Sequence, residues 1–516
     1  MARKALAAPA LVVLAAALAA STAVGAPPCS RKNCKEEIRA CGAAAGCESM
    51  SGGAGNQCAK QCVRQVLVAC EGDNRFCTPP FCGNGVVDPG ESCEPPGSPG
   101  CSATCTSPCG PPPPGEIRLA CLEQPFTEVG VGAGGTGYLA AWTRLDAGAP
   151  STIEGLRLDR GLAPVDAAPI TLSFSDPSEP FSAYGPHVSG DPIGWYVGFF
   201  AAFQDAPLYA VLGDRVDASG AVSGAHTIAS AFIVGTCTST VSGPLGVAAE
   251  ATRQFAVLWA APFGCFDVFI FYLHEATRVS FGPGGPVLTG LGTLDPVTLP
   301  QPTQASGLGA GIASGAGETV GVTATTFADW SSGSPVVVDY AIIAHWLPPA
   351  TGPATTRLSS IRSTSDRGLA VAFGDTSVLV AWPEVPVGGT SDTEIHALRF
   401  THAGGPLDPD GGLVLATGTP IASSPLVAFD GTTWLVAWLA QPAPGAYDVV
   451  GVAVRPDGTI VDATPRVLAA GVTNTSPSLT GGARWLLGVV RAPSMGLLAR
   501  STSYRSHGRR SAADRG

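Results

Sequence analysis

Few residues of this chain are spaced for chemistry. Its seven His stand at 187, 226, 274, 345, 396, 402 and 507, without the i,i+4 pairing that holds a metal on one helix face. The sequence holds no G-x-S-x-G, H-E-x-x-H or G-x-x-x-x-G-K-[ST] element, so neither a metal nor a cofactor is expected. Two isolated ionisable residues, Glu128 and His187, sit on apolar runs otherwise rich in Gly, Ala, Ser, Val and Leu. A carboxyl and an imidazole brought together can act as acid and base. Arg recurs at 157, 215, 399, 455 and 500, each read as pairing with a nearby Asp such as Asp159, Asp217 or Asp457. The other chemistry is that of recognition. Phe181, Tyr184, Trp330 and Tyr447, with Asp146 and Asp392, fall in or beside long segments between strand-like runs. Aromatic faces next to carboxylates suit stacking on a glycan or peptide, with Trp330 the leading contact.

The elements that must position these residues are short hairpins. Pro425 to Trp438 reads P-L-V-A-F-D-G-T-T-W-L-V-A-W, two apolar runs around an Asp-Gly turn. Similar pairs return at Gly368–Trp382, Pro477–Val490, Pro244–Trp259 and around Tyr138–Trp142. Spacings of roughly 50 to 65 residues between repeats are those of a propeller or solenoid. Seven first strands can be traced, and the last repeat ends without a fourth strand. Glu116–Cys121 resembles that missing strand, so the expectation is a seven-bladed β-propeller over 116–504 closed by its own N-terminal strand. A tandem of β-sandwiches is the alternative.

Only 13% of the 516 residues are charged and the net charge is −11, which argues against nucleic acid as a partner. Apolar runs long enough for a membrane span are missing after the N-terminus. Residues 1–26, with Arg3 and Lys4 before an Ala-rich apolar run, read as a secretory signal peptide. Fourteen of the sixteen Cys lie between Cys29 and Cys121, a disulfide framework that needs an oxidising compartment. Residues 27–78 read as an α-helical hairpin stapled by nested pairs, Cys29–Cys77, Cys34–Cys70, Cys41–Cys62 and Cys47–Cys58. Zinc is the competing use of these Cys, but paired C-x-x-C units and His are missing here. Cys237 and Cys265 are expected to form one further bridge between propeller loops.

Residues 82–105 read C-G-N-G-V-V-D-P-G-E-S-C-E-P-P-G-S-P-G-C-S-A-T-C. With Cys82, Cys93, Cys101 and Cys105 in this spacing, the stretch resembles the Myxococcus-type cysteine-rich repeat. Glu94-Pro95-Pro96 replaces that family's acidic run. The resemblance implies a small disulfide module of bacterial surface and secreted proteins, over 79–109. A Pro-rich linker (110–115) follows, and a basic disordered tail closes the chain (505–516). The repeats themselves resemble bacterial secreted propellers of a loosely sialidase-like kind, although only a fragment of the Asp-box survives at Asp457-Gly458-Thr459. Taken together, the sequence predicts a secreted or surface-displayed, non-enzymatic binding protein with an unknown protein or glycan ligand. A carbohydrate-active enzyme on the same scaffold is the first alternative, and a structural surface component the second.

Overall fold

The computed structural model describes residues 38–39, 56–63, 116–121, 128–145, 150–173, 181–203, 208–232, 246–266, 269–294, 303–329, 336–347, 355–361, 368–385, 394–418, 420–473, 477–482, 484–491 and 496–502. The chain divides into two compact units, Met1–Pro111 and Pro112–Gly516. In the first, residues 56–63 form a helix. Its Cys58 and Cys62 are both disulfide-bonded, and Cys62 is buried. The expected signal peptide, the Myxococcus-type module, the linker, Cys237 and the C-terminal tail lie outside the described residues.

Among the described residues the regular elements of the second unit are all strands. β1 (Glu116–Cys121) comes first, then β2 (Val129–Gly134), β3 (Gly137–Arg144), β4 (Thr152–Leu158) and β5 (Ile170–Thr171). The next group is β6 (Phe181–Asp191), β7 (Gly194–Phe203), β8 (Leu208–Asp217) and β9 (His226–Phe232). It is followed by β10 (Gly246–Ala251), β11 (Gln254–Phe266), β12 (Phe269–Gly282) and β13 (Gly285–Thr293). Then come β14 (Thr303–Gly315), β15 (Glu318–Asp329), β16 (Val336–Trp346) and β17 (Thr355–Ser360). After these lie β18 (Ala370–Phe373), β19 (Ser377–Glu384), β20 (Glu394–Thr401) and β21 (Leu413–Ala416). The chain closes with β22 (Leu426–Phe429), β23 (Trp434–Ala443), β24 (Ala446–Val454), β25 (Arg466–Val472), β26 (Ser478–Thr480), β27 (Trp485–Arg491) and β28 (Gly496–Thr502). Each group is an antiparallel meander, and neighbouring first strands lie side by side in a closed circuit from β2 round to β26 and back. The fold is a β-propeller.

Seven separate blades, as the sequence suggested, are not what the strands form. Among the described residues they make six sheets, five of four strands and one of eight. The passage from β25 to β26 is so short that Val472 pairs directly with Arg491 of β27, which fuses the last two groups into one double-width sheet. β1 lies at one edge of that sheet, pairing antiparallel with β28 from Glu116↔Arg500 to Cys121↔Gly496. Cys265 also differs from expectation: it lies within β11, opposite Ile270, rather than in a loop.

Apolar clusters fill the spaces between sheets, with Trp142, Trp195, Trp382, Trp434 and Trp485 each essentially inaccessible. The inner strands leave N–H groups unpaired at their edge, and hydroxyls on a neighbouring group accept them. Val131 N–H donates to Ser478 Oγ at 2.9 Å and Ala133 N–H to Thr480 Oγ1 at 3.1 Å, across the seam that closes the ring. Ala249 N–H uses Ser189 Oγ at 3.0 Å in the same way.

One turn recurs between third and fourth strands. Its marks are the bridges Leu158↔Pro164, Val216↔Val222, Phe400↔Pro406 and Val454↔Ile460. Its tip residue has positive φ in all four copies: Leu162 at 73°, Gly220 at 92°, Gly404 at 85° and Gly458 at 89°. The turn folds the chain back so that an Asp nine residues on meets the third strand. Arg157 therefore pairs with Asp166, and Arg399 with Asp408 at 2.6 Å, whereas Arg215 reaches Asp191 at 3.4 Å. Those are not the local Asp partners read from the sequence. Arg157 and Arg399 also donate to the following blade, at Ala218 O and Pro456 O.

Candidate active site at the mouth of the ring

Glu128 stands immediately before β2, the innermost strand of the first sheet, and its carbonyl accepts the Thr143 N–H at 3.2 Å. The adjacent inner strand, β6, is broken in register between Tyr184 and His187, where Gly185 takes φ +65° ahead of Pro186. A Cβ on Gly130 would meet the Pro186 carbonyl oxygen at 2.3 Å, and one on Gly132 would meet Val188 at 2.6 Å. Glycines at alternate positions of β2 thus let β6 close onto it. That approach brings the Gly185 N–H to the Glu128 carboxyl, which accepts a hydrogen bond from it.

The Glu128 side chain is exposed. The surrounding protein raises the Glu128 pKa from the ordinary carboxylate value, against the opposing Gly185 hydrogen bond. Two residues past Gly185, His187 is likewise exposed. The blades around the ring desolvate its imidazole and lower it to about 4, leaving it neutral at physiological pH. An exposed acid reluctant to ionise can deliver a proton to a leaving group. Other carboxylates on the inner strands are engaged elsewhere. Asp191 serves Arg215 and the Arg253 N–H, and Glu250 pairs with Arg278. Among the described residues no group of three His, Cys, Asp or Glu is placed to hold a metal.

The recognition residues read from the sequence separate here. Phe181 is buried, 6% exposed, in the apolar cluster between the first two sheets, and packs on Phe203 at 5.6 Å. Its ring serves packing because β6 starts earlier than the loop expected there. Tyr184 is half-buried and stacks on Phe200 at 6.3 Å, while Tyr447 OH accepts from Gln441 Nε2 at 3.4 Å. Asp146, Trp330 and Asp392 lie outside the described residues. What the sequence reading missed is Gly185. Its signal was the Gly-Pro pair interrupting a strand and the Gly-x-Gly of the strand beside it.

No protein-family model matches the sequence, and no curated protein matches it either. Solved structures do. A sialidase from Trypanosoma rangeli, in complex with the inhibitor DANA, aligns at 10% identity and TM-score 0.38, over 65% of this chain and 56% of its own. The chain thus spans little more than half of that sialidase. The β-propeller domain of the Trilobed protease from Pyrococcus furiosus, described as having an open velcro topology, aligns at 10% identity and TM-score 0.35, covering 76% of this chain and 99% of that one. An α-L-arabinofuranosidase from Lactobacillus brevis aligns at 11% identity and TM-score 0.28, over 51% and 90%. These likenesses speak to the fold alone. A sialidase and a glycosidase stand among them, so they lend no support to the expectation of a non-enzymatic protein, which is not carried further.

Proposed function

We propose that the propeller is a carbohydrate-active, glycosidase-like protein working at the mouth of the ring, with Glu128 as its proton donor. The observation that carries this is the Glu128 carboxyl, open to solvent yet desolvated, and fixed by the Gly185 N–H between two inner strands. Glycoside hydrolysis needs a carboxylic acid kept protonated until the leaving oxygen takes its proton. His187 adds a neutral donor and acceptor on the same strand as Gly185. Trp330, Asp146 and Asp392 are the proposed sugar contacts, and export through the N-terminal segment is proposed along with them.

The test is a panel of aryl glycosides and oligosaccharides, assayed with the wild-type protein and Glu128→Gln. Wild-type hydrolysis of at least one member, reduced about 100-fold or more in the variant at unchanged melting temperature, is the expected result. The alkaline limb of the wild-type pH profile should follow ionisation of Glu128, since the acid is lost as pH rises. Failure of every substrate, or full activity in Glu128→Gln, overturns the reading.

A further inference from the structure

The repeated turn allows position-by-position comparison of blades, and one position breaks the rule. Val165, Leu407, Val461 and Ser223 each donate a backbone N–H to the third strand, at Arg157 O, Arg399 O, Ala453 O and Arg215 O respectively. That register aligns Leu156, Leu398, Val452 and Asp214, the residues one step earlier. The three apolar members are completely buried, and so is Asp214. On β8 it lies between Leu212 and Val216 and opposite Val197. All three belong to the apolar cluster that joins the first two sheets, with Leu139, Ile153 and Leu172 from the first.

The exchange has a local origin. In the sister turns an Asp carboxylate accepts the third-strand N–H, as Asp166 does for Arg157, Asp408 for Arg399 and Asp462 for Ala453. Blade two has Gly224 at that place, and Asp214 Oδ1 takes over, accepting from the Arg215 N–H and the Ser223 hydroxyl, each at 2.9 Å. Oδ2 is buried with no hydrogen bond of ordinary geometry.

Charges on the packed elements are committed elsewhere. On β4, Glu154 pairs with Arg144 and Arg157 with Asp166. On the turn after β4, Asp159 accepts the Ala163 N–H and Arg160 donates to Gly135 O. Arg215 faces Asp191 of β6, and Asp217 caps its own turn. Tyr196 of β7 and His226 of β9 are hydrogen-bonded to one another at 3.0 Å.

We infer that Asp214 is a proton-dependent wedge in the seam between the first two blades. Neutral, it packs where the sister repeats place Leu or Val; ionised, it drives water into that seam. Glu128 and Gly185 lie on opposite sides of the same seam, so the wedge also regulates how firmly Gly185 holds the proposed acid. That second link alone rests on the function proposed above.

Burial pushes the Asp214 carboxyl up to about 7 from 3.8, against its hydrogen bonds. The folded state therefore keeps a proton that the unfolded chain has lost between those values. Stability is greatest below the unfolded value, falls as pH rises toward about 7, and levels off above it.

The experiment measures melting temperature in the full chain from pH 5 to 8.5, for wild type, Asp214→Asn and Asp214→Leu. The variants' advantage over wild type should grow by roughly 5 °C between pH 5 and 7.5 and then stay constant. Amide exchange of Gly185, His187 and Val188, corrected for intrinsic rate, should quicken over the same range in wild type only. An advantage that does not vary with pH in Asp214→Asn overturns the inference, whether or not Asp214→Leu folds. Because both readouts are structural, failure of the glycoside assay leaves them intact. Conversely, a pH-independent seam leaves the role of Glu128 standing.

Discussion

Replacing Leu119 with Asp abolishes cooperative unfolding of the propeller or lowers its melting temperature by many degrees. Leu119 is completely buried, in the cluster that also holds Val129, Val131, Leu486 and Val490. Through it β1 is tied both to the last strands and to the first inner strand. Losing the buried Leu costs about 2–5 kcal/mol, and placing a carboxylate there adds a desolvation penalty of several kcal/mol. That total rivals the whole stability of an ordinary domain. Without β1 docked, β28 also becomes an open strand edge, a template for aggregation. Thermal unfolding followed by Trp fluorescence and by light scattering checks this. A Leu119→Asp protein melting with wild-type midpoint and cooperativity would show that β1 contributes nothing to closure.

The second large effect is expected at the clamp between the fifth and sixth strand groups. Arg399 binds Asp408 through Nη2 at 2.6 Å and donates through Nη1 to Pro456 O at 2.6 Å. The Asp408 side chain is only 3% exposed. Arg399→Ala leaves that carboxylate buried without its cation, at a cost of about 3–5 kcal/mol. Gly458→Ala attacks the same contact from the other side. The glycine has φ +89°, and a Cβ there would meet Arg399 Nη2 at 2.5 Å. Its cost is about 1–3 kcal/mol, from the strained backbone and the displaced guanidinium. Because both changes break one contact, the double variant should lose clearly less than the sum. Denaturant midpoints for the four proteins measure this, and simple additivity would deny the coupling between blades.

The hairpins, the strand order and the pairing partner of β1 follow from the sequence because they depend on local rules. Alternating apolar runs around Asp430-Gly431 specify the pairing of Phe429 with Trp434, whatever surrounds them. Glu116–Cys121 was legible as a fourth strand because the last repeat lacked one. The number of sheets was not legible. It turns on a single pairing, Val472 with Arg491, a contact that no local residue preference specifies. The ion pairs escaped for a related reason: a turn with positive φ carries the chain back, so the Asp nearest in sequence is not the nearest in space.

Glu128 and His187 were visible as rare ionisable residues on inner strands, but only the tertiary structure decides what they are. Glycines at 130 and 132 let β6 approach, Gly185 turns its N–H to the carboxyl, and the surrounding protein withdraws water from it. Asp214 makes the same point from the other direction. Its residue type suggests an exposed turn, and the strand register instead puts it between Leu212 and Val216 in an apolar seam. Residue types determine which strands form and which faces are apolar, since those are properties of a few adjacent residues. The protonation state of an acid belongs to its dielectric surroundings, and those exist only once distant blades have closed around it.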